Sequence, residues 1–129
     1  MRHAVVTGAG TGIGRATAVR LHAAGHHVTV LGRRRDPLHE LVAELGEHAL
    51  AVPLDAADPD AVEASLDRLP DPVDVLVNNA GGNTDLDHEE PVGLAALAHR
   101  WRANLEANLL SAVLVTTALP VSYTHLTLP

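Results

Sequence analysis

The feature that most constrains the fold is a glycine-rich turn near the start of the chain, Thr7-Gly8-Ala9-Gly10-Thr11-Gly12-Ile13-Gly14. It joins a short β-branched run, His3–Thr7, to a segment of helix formers, and both flanks matter. A strand that ends in glycine and feeds a helix brings unpaired backbone N–H groups and a partial positive charge to one point, a ready anion site. Glycine serves such a loop in three ways: it makes the tight turn, lets backbone approach a pyrophosphate, and lets helix pack on strand.

Downstream, the pattern repeats. Gly14–Ala24 reads as a helix, with Gly25 where a C-terminal cap belongs. His27–Leu31 is the second strand, and Asp36-Pro37 reads as an N-cap with proline at the first helical position, opening a helix to Gly46. Ala49–Leu54 is the third strand, Asp58-Pro59 opens a helix to about Leu69, and Val73–Val77 is the fourth strand, closed by Asn78-Asn79-Ala80-Gly81-Gly82. A polar stretch, Asn83–Glu90, precedes a long helical segment from about Val92 to Leu119.

Strict alternation with apolar strands predicts an α/β fold, a parallel sheet covered by helices on both faces. Right-handed crossovers favour a Rossmann-type doubly wound sheet of about four strands in the order 3-2-1-4, incomplete for its type, with ligands at the strands' carboxyl ends. Residues 1–120 read as one dinucleotide-binding half-domain, without repeat or linker.

Composition excludes several classes. The 129 residues are 47% hydrophobic and 19% charged, the balance of a globular protein, and with 2% aromatics the core must be built from Val, Leu and Ala. A formal charge of −7, with no basic run longer than Arg33–Arg35, argues against nucleic-acid binding. There is no cysteine, hence neither disulfide nor thiolate chemistry. No apolar run approaches the ~20 residues that span a bilayer, and no leader pattern follows Met1, so the expectation is a cytoplasmic protein with no membrane partner. Nine histidines invite a metal reading, but His22 and His26 are separated by the predicted helix end at Gly25 and the others are scattered, so no metal site is expected.

The loop, with glycines 8, 12 and 14 after Thr7, resembles the TGxxxGxG signature of the short-chain dehydrogenases/reductases. Asn78-Asn79-Ala80-Gly81 matches their NNAG motif, Leu54-Asp55 stands where the family places an aspartate, and Trp101 and Asn108 are spaced as in its W-x6-N segment. The resemblance covers Met1 to about Pro120. It implies that Gly8, Thr11, Gly12, Ile13 and Gly14 hold a pyrophosphate, and that Asp55 and the Ala56 backbone meet the adenine. It also implies that Asn79, Ala80 and Gly81 lie along the adenosine ribose, and that Asn108 is the active-site asparagine that holds a water in a proton relay. Residues 82–100 carry about five more residues than is usual in the family.

Cofactor choice is read at the end of the second strand. NAD-specific folds usually carry an acid there for the ribose 2′-OH. Here Gly32 is followed by Arg33, and an arginine fork binds a 2′-phosphate bidentately, so NADP is expected, with NAD left open. A solvated basic turn is the bland alternative.

In the family, a tyrosine and a lysine four residues later move the carbonyl proton, and a serine on the preceding strand polarises the carbonyl. Fixing a tyrosine near neutrality needs an adjacent cation. The chain contains no lysine; its one tyrosine, Tyr123, is followed by Thr127 where the lysine would stand. The expectation is therefore that catalytic Ser, Tyr and Lys are all missing. The tail Val121–Pro129, with Ser122 and Tyr123, reads as translated sequencing-adapter sequence on a truncated frame. Two functions remain open. One is a truncated, inactive NADP-dependent oxidoreductase whose homo-oligomeric parent acts on a small alcohol or carbonyl compound. The other is a non-catalytic dinucleotide-binding or redox-sensing module of the same fold.

Overall fold

The computed structural model describes residues 1–81, 90 and 92–119. The expected tail, Tyr123, Ser122, Thr127 and most of the polar stretch after Gly81 lie outside the described residues. Four strands, β1 (His3–Thr7), β2 (His27–Gly32), β3 (Ala49–Pro53) and β4 (Val75–Val77), form one sheet in the order β3-β2-β1-β4. Every pairing is parallel, with Val5 opposite Thr29 and Leu76, and Thr29 opposite Leu50. This is the Rossmann-type sheet that the strand–helix alternation requires.

The helices are α1 (Gly12–Ala23), α2 (Arg35–Leu45), α3 (Pro59–Ser65), α4 (Leu94–Leu105) and α5 (Ser111–Ala118). They bury both faces of the sheet because successive strand residues point to opposite sides. On one face Val5, Leu31 and Val52 pack with Val115 and Leu119 at the end of α5. On the other, Val6, Val28 and Val30 pack with Ala18 of α1 and with Leu38 and Leu41 of α2. No aromatic side chain takes part in either cluster.

Among the five α-helices a side-chain cap forms only at α3. The Asp58 Oδ1 accepts from the N–H groups of Asp60 at 3.0 Å and Ala61 at 3.4 Å, with Pro59 at the first helical position. α1 ends before Gly25, whose φ of +94° lets the chain reverse into β2. The expected Asp36 cap is not formed: α2 starts at Arg35, the capping position is Arg34 without a side-chain bond, and Asp36 lies inside the first turn. There its charge still complements the helix dipole, which is why the sequence signal was offset by two residues rather than false. The fourth strand is shorter than Val73–Val77; just before it, Asp74 donates its N–H to the His3 carbonyl at 2.9 Å while its Oδ2, in place of a backbone carbonyl, accepts from the His3 N–H at 2.7 Å. The long last helical segment is interrupted by a π-helical stretch, Glu106–Leu110, between α4 and α5.

Candidate active site

A cleft of about 760 Å³ opens at the carboxyl ends of the strands, where the β1–α1 loop, the β2–α2 turn and the residues after β3 and β4 converge. This is the crevice that a doubly wound sheet leaves at its switch point.

The floor is set by a polar clamp. Thr7, the last residue of β1, is 1% exposed. Its Oγ1 accepts from the backbone N–H groups of Asn79 and Ala80, each at 2.9 Å. The Asn79 side-chain amide donates to the Gly8 carbonyl at 3.2 Å. Two loops more than 70 positions apart in the chain are thereby locked together, and buried backbone donors at the end of β4 are satisfied.

The loop glycines do different work. A Cβ on Gly14 would land on the Gly8 carbonyl oxygen and beside the Asn79 amide, so α1 can sit this close only with glycine there. Gly12 is the opposite: nothing lies within 4 Å of its Cβ direction and its φ is +59°. Its backbone therefore presents open space in front of the start of α1, where a phosphate can approach. Gly8 and Thr11 line the cleft, whereas Ile13 projects from the loop, 78% exposed.

At the far wall, Gly32 ends β2 and Arg33 and Arg34 both line the cleft, with no acidic side chain at the strand end. Asp55 and Ala56 follow β3 and line the same wall. The Asp55 Oδ1 accepts from the Ala57 N–H at 3.0 Å, an Asx turn that fixes the carboxylate's direction. Asn79, Ala80 and Gly81 complete the wall from β4.

Asn108 sits in the π-helical stretch, where its side-chain amide donates to the Asn104 carbonyl at 2.9 Å. A Cβ on Gly81 would collide with the Asn108 Oδ1, so this asparagine presses against the end of the NNAG segment. π-Insertions of this kind are frequent at functional sites because the widened turn redirects one side chain. Trp101, seven residues earlier, is 61% exposed and takes no part in the cleft.

The expectation that the chain supplies no serine to this site is corrected. Ser111 opens α5, is 3% exposed, and lines the cleft at the position expected for the family's catalytic serine. Its hydroxyl donates to the Ala107 carbonyl at 2.8 Å. Reasoning from the sequence looked for this serine only beyond the last helix, and so passed over one three residues after Asn108. Thr7 and Arg34 were also missed as site residues. The signal for Thr7 was a hydroxyl at the end of an otherwise apolar buried strand. That for Arg34 was its place in a three-arginine run of which one member alone was singled out. Among the described residues no group of His, Asp or Glu side chains is arranged to hold a metal ion, and no helix is long and apolar enough to cross a membrane.

The short chain dehydrogenase family model matches residues 2–122. Over 117 residues the chain is 37% identical to the NADP-dependent 3-hydroxy acid dehydrogenase YdfG of Salmonella typhi, covering 88% of this chain and 46% of that protein. Over 80 residues it is 44% identical to a probable NADP-dependent dehydrogenase of Dichelobacter nodosus, covering 60% of this chain and 76% of the relative. Among solved structures, the closed form of serine dehydrogenase complexed with NADP+ superposes with a TM-score of 0.75 at 32% identity, covering 91% of this chain and 47% of that one. L-sorbose reductase from Gluconobacter frateurii, complexed with NADPH and L-sorbose, gives 0.74 at 30%, covering 92% and 46%. The chain thus spans about half the length of these full-size neighbours.

Proposed function

The chain belongs to the short chain dehydrogenase family, and on that premise we propose that it binds NADP(H) as the cofactor half of an oxidoreductase acting on an alcohol/carbonyl pair. One observation carries the choice of cofactor: Arg33 and Arg34 line the cleft directly after β2, and the strand ends in Gly32 instead of an acid. A carboxylate at that point would repel a ribose 2′-phosphate, whereas a guanidinium pairs with it. Several relatives and structural neighbours carry NADP or NADPH in their names, in agreement with this reading.

The rest of the cleft fits the same molecule. The open backbone at Gly12 and the start of α1 would receive the pyrophosphate, with Thr11 and Gly8 beside it. Asp55 has Oδ1 occupied by Ala57 and would accept from the adenine amine through Oδ2, with the Ala56 backbone alongside. Asn79, Ala80 and Gly81 would lie along the ribose, their backbone held in place by Thr7. When bound, the nicotinamide supplies or accepts the hydride. The chain's own residues bind and orient it, and Asn108 would hold a water at the substrate side through its carboxamide.

Calorimetric titration of the 129-residue chain with adenosine 2′,5′-bisphosphate and with adenosine 5′-monophosphate isolates the proposed phosphate contact. The 2′-phosphate should strengthen binding by about tenfold or more, the scale of a charge-assisted hydrogen bond. Equal binding of the two nucleotides overturns the proposed role of the arginines.

A further inference from the structure

The end of the sheet opposite the cleft carries three histidines in a row. His3 opens β1 and the register places it beside His27, which opens β2. His48 immediately precedes β3, and its carbonyl accepts from the Val28 N–H at 2.9 Å. The ring centroids of His3 and His27 are 5.1 Å apart, and those of His27 and His48 are 6.1 Å apart. The Nδ1 atoms of His3 and His27 are both buried without a hydrogen-bond partner among the described residues. A neutral imidazole can leave a buried ring nitrogen as a weak cost; a charged one cannot, because both nitrogens then need acceptors.

The surroundings supply little compensation. Just before β4, Asp74 directs its Oδ2 to the His3 backbone N–H. From the C-terminal end of α1, the His22 Nε2 meets the Glu47 carbonyl at 2.7 Å, and the His26 Nδ1 meets the Leu21 carbonyl at 3.2 Å. Arg2 is also at this end, its carbonyl accepting from the His27 N–H at 2.9 Å, and Met1 and Glu47 are the chain neighbours of Arg2 and His48 respectively. Burial first, and then the neighbouring His3, His48 and His22, hold the His27 imidazole below its ordinary value of 6.5.

We propose that His27, its buried ring set between those of His3 and His48, is a proton-sensitive point that holds the starts of β1, β2 and β3 together only while its ring is neutral. The sign follows from linkage. A histidine depressed in the folded state binds fewer protons there than in the unfolded chain, so its stabilisation is present above pH 6.5 and is lost as pH falls through its folded value. Acid therefore loosens the sheet at this end, where β1 and β2 begin.

The test is an NMR pH titration of the His27 ring in the 129-residue chain, repeated on His48→Gly. Glycine suits that position because His48 has a φ of +67°. His27 should titrate below the ordinary histidine value of 6.5, and its midpoint should rise when the His48 ring is removed. Amide protection at Val28, corrected for intrinsic exchange, should fall by about tenfold between roughly pH 7.5 and 5.5, the range in which histidine changes charge. His27 titrating at or above 6.5, a midpoint that His48→Gly does not move, or unchanged protection at Val28 would each overturn the proposal.

Discussion

The Thr7 hydroxyl oxygen lies 2.9 Å from the backbone nitrogen of Asn79, and through that bond the glycine loop and the NNAG segment become one rigid surface. The same oxygen holds Ala80, so a single buried side chain satisfies two backbone donors. Thr7→Val keeps the shape and removes the acceptor. Leaving buried N–H groups unpaired should cost about 1–3 kcal/mol, read as a lower urea midpoint at unchanged slope, and Thr7→Ser should recover most of it. A valine variant as stable as the parent would show that the clamp is incidental.

Gly12 and Gly14 should fail differently. Gly14→Ala places its Cβ on the Gly8 carbonyl oxygen, so α1 cannot keep its place and circular dichroism should report loss of the fold. Gly12→Ala meets no atom but must hold a φ of +59°, a strain of roughly 1–2 kcal/mol for an L residue. It should fold with reduced stability. Gly12→Val adds a β-branched side chain at the same strained angle and fills the space open to a pyrophosphate, so nucleotide binding should be lost in titration.

Arg33→Asp should weaken NADPH binding by roughly 1.5–3 kcal/mol, the value of a hydrogen bond to a charged group, and should leave NADH binding nearly unchanged. The difference should shrink as salt is raised, because the arginines stand at an open cleft edge. Equal losses for both cofactors would place Arg33 away from the 2′-phosphate. Ser111→Ala, by contrast, should change NADPH affinity by less than about twofold, since the hydroxyl is engaged with the Ala107 carbonyl. A larger loss would give Ser111 a direct part in holding the cofactor.

The last helical segment carries a run of exposed apolar side chains, with Leu94, Leu97, Trp101, Leu105, Leu109 and Val113 all partly in solvent. β4 is also an outer strand of the described sheet. An exposed apolar patch and an outer strand each favour association. The 129-residue chain should therefore elute as an oligomer in size-exclusion chromatography with light scattering, and Trp101→Glu with Leu105→Glu should shift it toward monomer. A monodisperse monomer at all concentrations would contradict this.

Much of the architecture was legible because it rests on local signals: glycine between strand and helix, aspartate–proline at Asp58-Pro59, and apolar strands such as Val28–Leu31. The Asp36 cap misled because proline at position 37 is compatible with more than one start of the same helix. The site was legible where a motif is contiguous, as at Asn78–Gly81. It was hidden where function depends on which face of a helix a residue occupies, as with Ser111, or on a long-range hydrogen bond, as with Thr7. The histidine rim belongs to the second kind: His3, His27 and His48 are scattered in the sequence, and only the parallel register brings them side by side.

The central claim is that this cleft selects NADP(H) through its arginine wall. Parallel calorimetric titrations of the 129-residue chain with NADPH and NADH, at one low salt concentration, test it most directly. The account predicts saturable 1:1 binding of NADPH, tighter than NADH by about tenfold or more. Equal affinities, tighter NADH, or a folded chain that binds neither would contradict it.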